Sequence, residues 1–215
     1  MTIAGRTRKH GMTQSPSIRR GRPRSFDRDK ALREAMLLFW ENGYEGTSMA
    51  QLVEAMGIVS PSIYAAFGSK EDLFREAVRL YVATEVEPAW QALDEITDVQ
   101  QAVRTMLLGS IEAFVATRPQ RGCLVVLGSG LLGGADDTIR DFLREQRQHF
   151  RDRLVKCLQR AIDAGTFRPD NDPWVLADCV LAFFAGLTIE AVDGAEKAAL
   201  RESAELFCLR MFDER

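Results

Sequence analysis

The stretch from Thr47 to Leu80, TSMAQLVEAMGIVSPSIYAAFGSKEDLFREAVRL, constrains the fold more than any other part of this chain. A helical pattern from Ser48 to Met56 stops at Gly57, and after the turn Gly57-Ile58-Val59 a second short helix opens at Ser60-Pro61. A third helix starts at Ser69. Ser48 with Gln51, and Ser69 with Asp72, are spaced as capping boxes, in which each side chain closes the other's backbone N–H. Pro61 suits a first helical turn, where its missing N–H costs nothing. Met49, Leu52, Val53 and Met56 form one apolar face, Ile58 plugs the turn, and Ile63 and Phe67 continue the same core. Two compact helices joined by such a glycine turn make a helix-turn-helix unit, whose second helix enters the major groove of DNA.

The second helix carries a further signal. No charged residue occurs between Gly57 and Gly68. A buried helix would read the same way, but Ser60, Ser62, Tyr64 and Ala65 fall off the Ile63/Phe67 face. Small and hydroxyl-bearing residues let a helix approach base edges, and hydroxyls and methyls can touch phosphate and thymine. Tyr64 offers a phenolic O–H to a phosphate, and Lys70 adds charge at a helix N-terminus that already favours anions.

The net charge of −3 does not point to nucleic acid, but its distribution does. Residues 1–30 carry nine Lys/Arg against two Asp, and the remaining residues carry nineteen against twenty-nine acidic groups. A basic arm on an acidic body tracks phosphates while the body avoids them. Residues 1–18 read as a disordered tail, with Met12 as an alternative start. Arg22 and Arg24 abut the first helix and are candidates for a minor groove or backbone phosphates.

The run from Gly21 to Leu73 resembles the N-terminal domain of TetR/AcrR-type transcriptional regulators. It carries GRPR (Gly21 to Arg24), FxxxGYEGTS (Phe39 to Ser48), MxxLxxAMGI (Met49 to Ile58) and SxYxxFGSKxxLF (Ser62 to Phe74). The expected DNA-contacting set is Arg22, Arg24, Thr47, Ser48, Ser60, Ser62, Tyr64, Ala65 and Lys70. One departure stands out. Where such regulators often place Ser, Thr or Asn as the cap of the recognition helix, this chain has Val59, with the hydroxyl one residue later at Ser60. That predicts a shifted first turn. The resemblance further implies a homodimer, a small effector held in a cavity among the helices from about Tyr81 to Glu190, and repression of a double-stranded operator.

Beyond Ser69 the chain reads as successive helices: Ser69 to Val86 ahead of Pro88, Val99 to Thr117, Asp136 to Ala164, Pro173 to Val192, and Ala195 to Met211. No alternating strand pattern appears, so the class is all-α. The resemblance implies a three-helix helix-turn-helix domain followed by a larger helical effector-binding and dimerisation domain. The expected division is a flexible basic arm over 1–24, a DNA-binding domain over 25–80 and a ligand-binding and dimerisation domain over 81–215. The helix after Ser69 belongs to both domains.

The Pro173–Val192 pattern is apolar on nearly all sides, as in a helix buried from several directions. Ala182, Phe183, Ala185, Gly186 and Ile189, with Phe207 and Met211 of the last helix, form the expected dimer interface. A symmetric dimer would read palindromic half-sites about 34–36 Å apart, or multiples of that. The glycines from 128 to 134 disfavour a simple packed helix, at roughly 1 kcal/mol each against Ala in a helix interior. If the segment bends round a cavity, Phe114, Cys123, Leu127 and Phe184 are its expected walls, with His149 or Glu190 as polar partners. Trp90, Trp174 and Phe114 are otherwise expected in the core.

Three other classes are weighed and set aside. Gly128 to Gly133 is a literal GxGxxG after an apolar run, but a dinucleotide site needs a strand before and after it, and none is available. A nicotinamide-dependent enzyme therefore loses to a regulator, with a constitutive DNA-binding protein as the nearer alternative. With only His10 and His149 there is no material for a histidine triad or zinc site, so neither catalysis, metal nor cofactor is expected. The widely spaced Cys123, Cys157, Cys179 and Cys208 fit reduced, buried thiols in a cytoplasmic protein. Only Cys123, beside Arg118 and Arg121, is a candidate for an exposed redox thiol. No signal peptide is visible, and the stretch Trp174 to Leu187 is shorter than the roughly 20 residues a membrane-spanning helix needs.

Overall fold

The computed structural model describes residues 26–117, 119–128, 137–167 and 172–212. Every regular element among them is helical. The head consists of α1 (Arg28–Asn42), α2 (Met49–Met56), α3 (Ser60–Phe67) and α4 (Lys70–Tyr81). The body follows with a π turn (Val82–Val86), α5 (Glu87–Trp90), α6 (Ala92–Glu95), α7 (Val99–Val115), α8 (Leu124–Leu127), α9 (Asp137–Asp163), α10 (Pro173–Val192) and α11 (Lys197–Met211).

Local chemistry fixes the head. Asp27 accepts from the Lys30 N–H at the start of α1. Both expected capping boxes form, Ser48 with Gln51 and Ser69 with Asp72. Gly57 closes α2 in the left-handed region at φ +66°, a conformation open to Gly at little steric cost. The predicted core residues Leu52, Met56, Ile63 and Phe67 are buried, joined by Ala35, Phe39, Leu73 and Phe74. Arg28 ties the corner. Its guanidinium donates to Glu76 at 2.7 Å and to the Ala66 carbonyl at 3.3 Å, and lies 4.4 Å from the Phe67 ring centroid.

The helix after Ser69 does not stop before Pro88. A proline removes one N–H and its ring crowds the carbonyl four residues back, which would break a regular helix. Here the turn widens instead, so that Glu87 N–H reaches Val82 O, and Pro88 sits in the first turn of α5. The remaining boundaries fall close to those read from the sequence.

In the body α7 is central, packed by α5, α6, α10 and α11, with α9 against α6, α8 and α10. Trp90 is fully buried beside Phe150 and Phe184, and Phe184 meets Phe114 edge-on at 5.5 Å. Two arginines of α9 clamp the short helices. Arg153 bonds Glu87, Asp94 and the Trp90 carbonyl at 2.7, 2.6 and 3.0 Å, and Arg160 bonds the Leu93 and Ile96 carbonyls at 2.6 and 3.2 Å. These donors satisfy carbonyls that helix ends leave open.

Several expectations need correction here. Trp174 is 45% exposed, because it lies on the outer side of α10. Cys179 is exposed too, whereas Cys123, Cys157 and Cys208 are buried. Burial also disposes of Cys123 as a redox thiol, since desolvation pushes its thiol above the usual range. α10 spans 20 residues and contains an 18-residue window with a mean hydropathy of 2.0, so by length and composition it could cross a membrane. In this fold it packs against α7, α9 and α11, and its Asp178 pairs with Arg151 at 2.5 Å.

Candidate nucleic-acid interface

The outer side of α3 is the candidate interface. Ile63 and Phe67 pin the helix from beneath, leaving Tyr64 and Ala65 exposed and Ser60 and Ser62 half-buried at its rim. The first turn is not shifted. Val59 occupies the cap position with extended φ and ψ, makes no side-chain bond, and leaves Ser60 as the first helical residue. Val59 is itself 63% exposed, which places an apolar side chain at the tip of the unit. The resemblance locates Val59 at the cap; its exposure is what the structure adds.

The other expected contacts divide. Ser48 is exposed, but its hydroxyl is engaged with Gln51 in the α2 capping box. Thr47 does not belong to the interface. It is fully buried, and its hydroxyl donates to the Gly43 carbonyl at 2.7 Å, bracing the α1–α2 loop from within. Lys70 is half-buried, with Nζ donating to the Tyr44 carbonyl at 2.7 Å and 4.2 Å from the Tyr44 ring centroid. Desolvation lowers its pKa, with Glu45 acting in the opposite direction. Its first task is thus to hold the α1–α2 loop, and the two remaining N–H bonds of an ammonium are available for a phosphate. Arg22 and Arg24 lie outside the described residues.

A second set of contacts joins head to body, and sequence reasoning missed it because the partners are distant in the chain. Trp40 Nε1 donates to the Gly122 carbonyl at 2.9 Å, and Tyr44 N–H to the Gly128 carbonyl at 3.0 Å. Arg121 reaches Glu41 at 3.3 Å, and Arg75 of α4 reaches the Thr138 carbonyl at 3.2 Å. Within the head, Trp40 of α1 and Tyr81 of α4 meet edge-on at 4.8 Å. A displacement in the body therefore bears directly on α1 and α4, against which α2 and α3 pack.

The expected effector walls do not enclose a cavity together. Phe114, Cys123 and Phe184 are packed in the core, at most 2% exposed. His149 faces solvent on α9, and Glu190 borders a shallow groove between α10 and α11 with Ala182, Phe183 and Gly186. Leu127 lines a different space, a cleft between the α1–α2 loop and segment 119–128. The residues were chosen for apolar character near a glycine-rich run, which does not establish that they face one another. Gly130, Gly133 and Gly134 lie outside the described residues. Among the described residues no strand precedes Gly128 and residues 124–127 form a helical turn, which removes the dinucleotide-loop geometry.

The expected dimer residues do share a surface. Phe183 and Phe207 stack at 4.1 Å with an interplanar angle of 3°, and Ala182, Gly186 and Ile189 are exposed beside them. Ala185 and Met211 are half-buried. Leu206, 58% exposed, extends this apolar surface beside Phe183, Phe207 and Met211.

Comparison with known proteins agrees with this architecture. Residues 31–77 match the model for bacterial regulatory proteins of the tetR family, and residues 103–206 match a tetracyclin repressor-like C-terminal domain. The chain is 33% identical over 195 residues to the HTH-type transcriptional repressor ComR of Escherichia coli (strain K12), covering 89% of this chain and 92% of ComR. It is 33% identical over 117 residues to the repressor BdcR of the same strain, covering 54% of this chain and 59% of BdcR. Among solved structures it resembles a cysteine mutant of the TetR family regulator CifR complexed with 26-base-pair operator DNA. That match has a TM-score of 0.82 and 37% identity, and covers 89% of this chain and all of CifR. The chain belongs to the TetR family of DNA-binding transcriptional regulators.

Proposed function

We propose that this regulator is a homodimeric repressor that binds a palindromic operator through α3 and is released by a small effector. The observation that carries the reading is the pairing of two surfaces: an uncharged, small-residue face on α3 and an exposed apolar face on α10 and α11. Contiguous exposed apolar surface marks a protein interface, and two copies joined there would present two recognition helices. Ser60, Ser62, Tyr64 and Ala65 supply direct contacts, Lys70 a phosphate contact, and Arg22 and Arg24 sequence-independent affinity. Ser48 contributes from the start of α2, which borders the same side of the head. The working division places DNA binding over 25–80, with the arm before it and the effector and dimer functions after it.

Effector response is supported by one buried group. Trp90 Nε1 has no hydrogen-bond partner although its side chain is fully enclosed. An unsatisfied buried donor costs about 1–3 kcal/mol, which a ligand bearing an acceptor would recover. The effector is then a largely apolar molecule with one acceptor, which must displace the rings packed on Trp90, Phe150 and Phe184, to reach that donor. It acts by favouring a body conformation whose head contacts differ.

The test combines selection from random DNA with sedimentation. The full chain is expected to enrich inverted repeats and to sediment as a dimer. The double variant Ile189→Asp, Leu206→Asp should sediment as a monomer and lose affinity for the repeat by about 100-fold or more, the avidity of two linked sites. Enrichment of a single half-site, with no loss in the variant, would refute the dimeric reading.

A further inference from the structure

The head–body junction contains a site of its own. A cleft of about 280 Å³ opens between the α1–α2 loop and the segment from Pro119 to Gly128. Trp40, Leu124, Leu127 and Val192 give it apolar walls; its charged residues are Arg121, Glu41 and Glu45, and Arg121 pairs with Glu41.

Arg121 is the unusual member. Its side chain is only 17% exposed, and Nε is buried with no hydrogen-bond partner. Among the described residues its one ion pair is to Glu41 at 3.3 Å, longer than the 2.7–2.9 Å usual for a charge-assisted bond. Its guanidinium lies 5.8 Å from the Trp40 ring centroid, an additional but weak attraction. A guanidinium presents five donors in a rigid fork suited to a carboxylate. Withdrawing it from water for one long bond to a half-exposed partner leaves most of that capacity unused.

We propose that this cleft binds a small apolar carboxylate, whose anionic end takes the free side of Arg121 and whose body lies along Trp40, Leu124 and Leu127. The volume sits just below the usual range for ligand sites, which selects a small molecule. The cleft is separate from the buried Trp90 donor proposed for the effector. It is bordered by Gly43 and Gly128, beside the Tyr44 N–H to Gly128 carbonyl bond, so an occupant bridges head and body.

Calorimetric titration of the full chain without DNA tests the assignment, using benzoate as the probe and benzamide as its uncharged isostere. Benzoate should bind saturably and about tenfold or more tighter than benzamide, as expected for one charge-assisted contact. Arg121→Gln should abolish that preference, Glu41→Gln should strengthen benzoate binding by removing the competing carboxylate, and Trp90→Phe should leave it unchanged. Equal binding of the two probes, or no saturable binding of benzoate, overturns the proposal. Should Arg121→Gln fail to fold, Glu41→Gln decides: unchanged affinity counts against the site. With DNA absent from the cell, none of these outcomes depends on the operator reading.

Discussion

The head and the body are both helical, yet they are held together by different means. In the head, α2 and α3 are eight residues long and α4 is twelve. Helices this short are unstable alone, so their ends must be closed and their faces packed. Asp27, Ser48 and Ser69 close the starts of α1, α2 and α4. The body relies on long helices of 17, 27 and 20 residues, α7, α9 and α10, and on arginines reaching between elements. Side-chain caps remain at Asp98 and Asp172, while α11 has none. Stability in the head is therefore concentrated at helix ends, and in the body it is spread over buried faces and cross-links.

The largest expected effect tests whether these two styles still form one cooperative unit. Phe74 of α4 is fully buried, edge-on to Phe39 at 5.0 Å and to Tyr44 at 5.2 Å, and a Cβ on Gly128 would lie 3.4 Å from its ring. It thus belongs to the head core and touches the body. Phe74→Ala should cost about 3–5 kcal/mol. Urea denaturation followed by far-ultraviolet circular dichroism and by tryptophan fluorescence should shift as one coincident transition. Two separated transitions, with only the first moved, would show that head and body unfold independently.

Next in size is a cross-link of the body. Arg153 is 22% exposed and its carboxylate partners Glu87 and Asp94 are 45% and 54% exposed. Solvent screens such pairs, but the bond to the Trp90 carbonyl is shared by the same guanidinium. Arg153→Ala should cost about 1–2 kcal/mol by denaturation, and Arg153→Lys should recover only part of it, since an ammonium lacks the planar fork. Full recovery by lysine would reduce the cross-link to simple charge.

These differences also explain what was legible in the sequence. Caps, glycine stops and heptad-like spacing act over a few residues, so the head helices, both capping boxes and the Ile63/Phe67 core could be read directly. Thr47 looked like a surface hydroxyl because nothing local records that the α1–α2 loop folds over it. The widened turn before Pro88 was likewise hidden, because a proline signals a break and not how the chain absorbs it. The supposed pocket failed for a stronger reason. Phe114, Cys123, Leu127, His149, Phe184 and Glu190 are spread over α7, α8 and its cap, α9 and α10, and which of them face one another depends on helix rotations that composition does not encode. The Arg121–Trp40–Leu127 cleft has the same origin and was invisible for the same reason.

A smaller effect probes the capped ends through pH. The Ser69 backbone N–H, and then its hydroxyl, hold the Asp72 carboxyl below its usual pKa. Gly68 makes room for this, with φ +82° and a carboxylate oxygen only 2.6 Å from where a Cβ would sit. Because the folded-state pKa is depressed, the stabilisation is present above the unfolded value near ~3.9 and is lost as pH falls through the folded value. The melting-temperature difference between the native chain and Asp72→Asn should be full at pH 7 and shrink in acid. A difference independent of pH would assign the effect to shape and not to charge.

The smallest expected effect concerns the one head helix that breaks the pattern. α3 starts at Val59 without a side-chain cap, and Pro61 leaves Ser62 as the next N–H that a cap could reach. Ser62 N–H already bonds the Val59 carbonyl at 2.9 Å, so a hydroxyl at 59 would add a second, shared acceptor. Val59→Ser should stabilise the fold by about 0.5–1 kcal/mol. If the exposed isopropyl group meets thymine methyls in the major groove, the same change should weaken operator binding, by less than about tenfold. Stability and affinity would then move in opposite directions, which is the expected outcome when a recognition helix gives up a cap to present an apolar tip. Affinity rising together with stability would mean that Val59 makes no base contact and that the missing cap serves no purpose in binding.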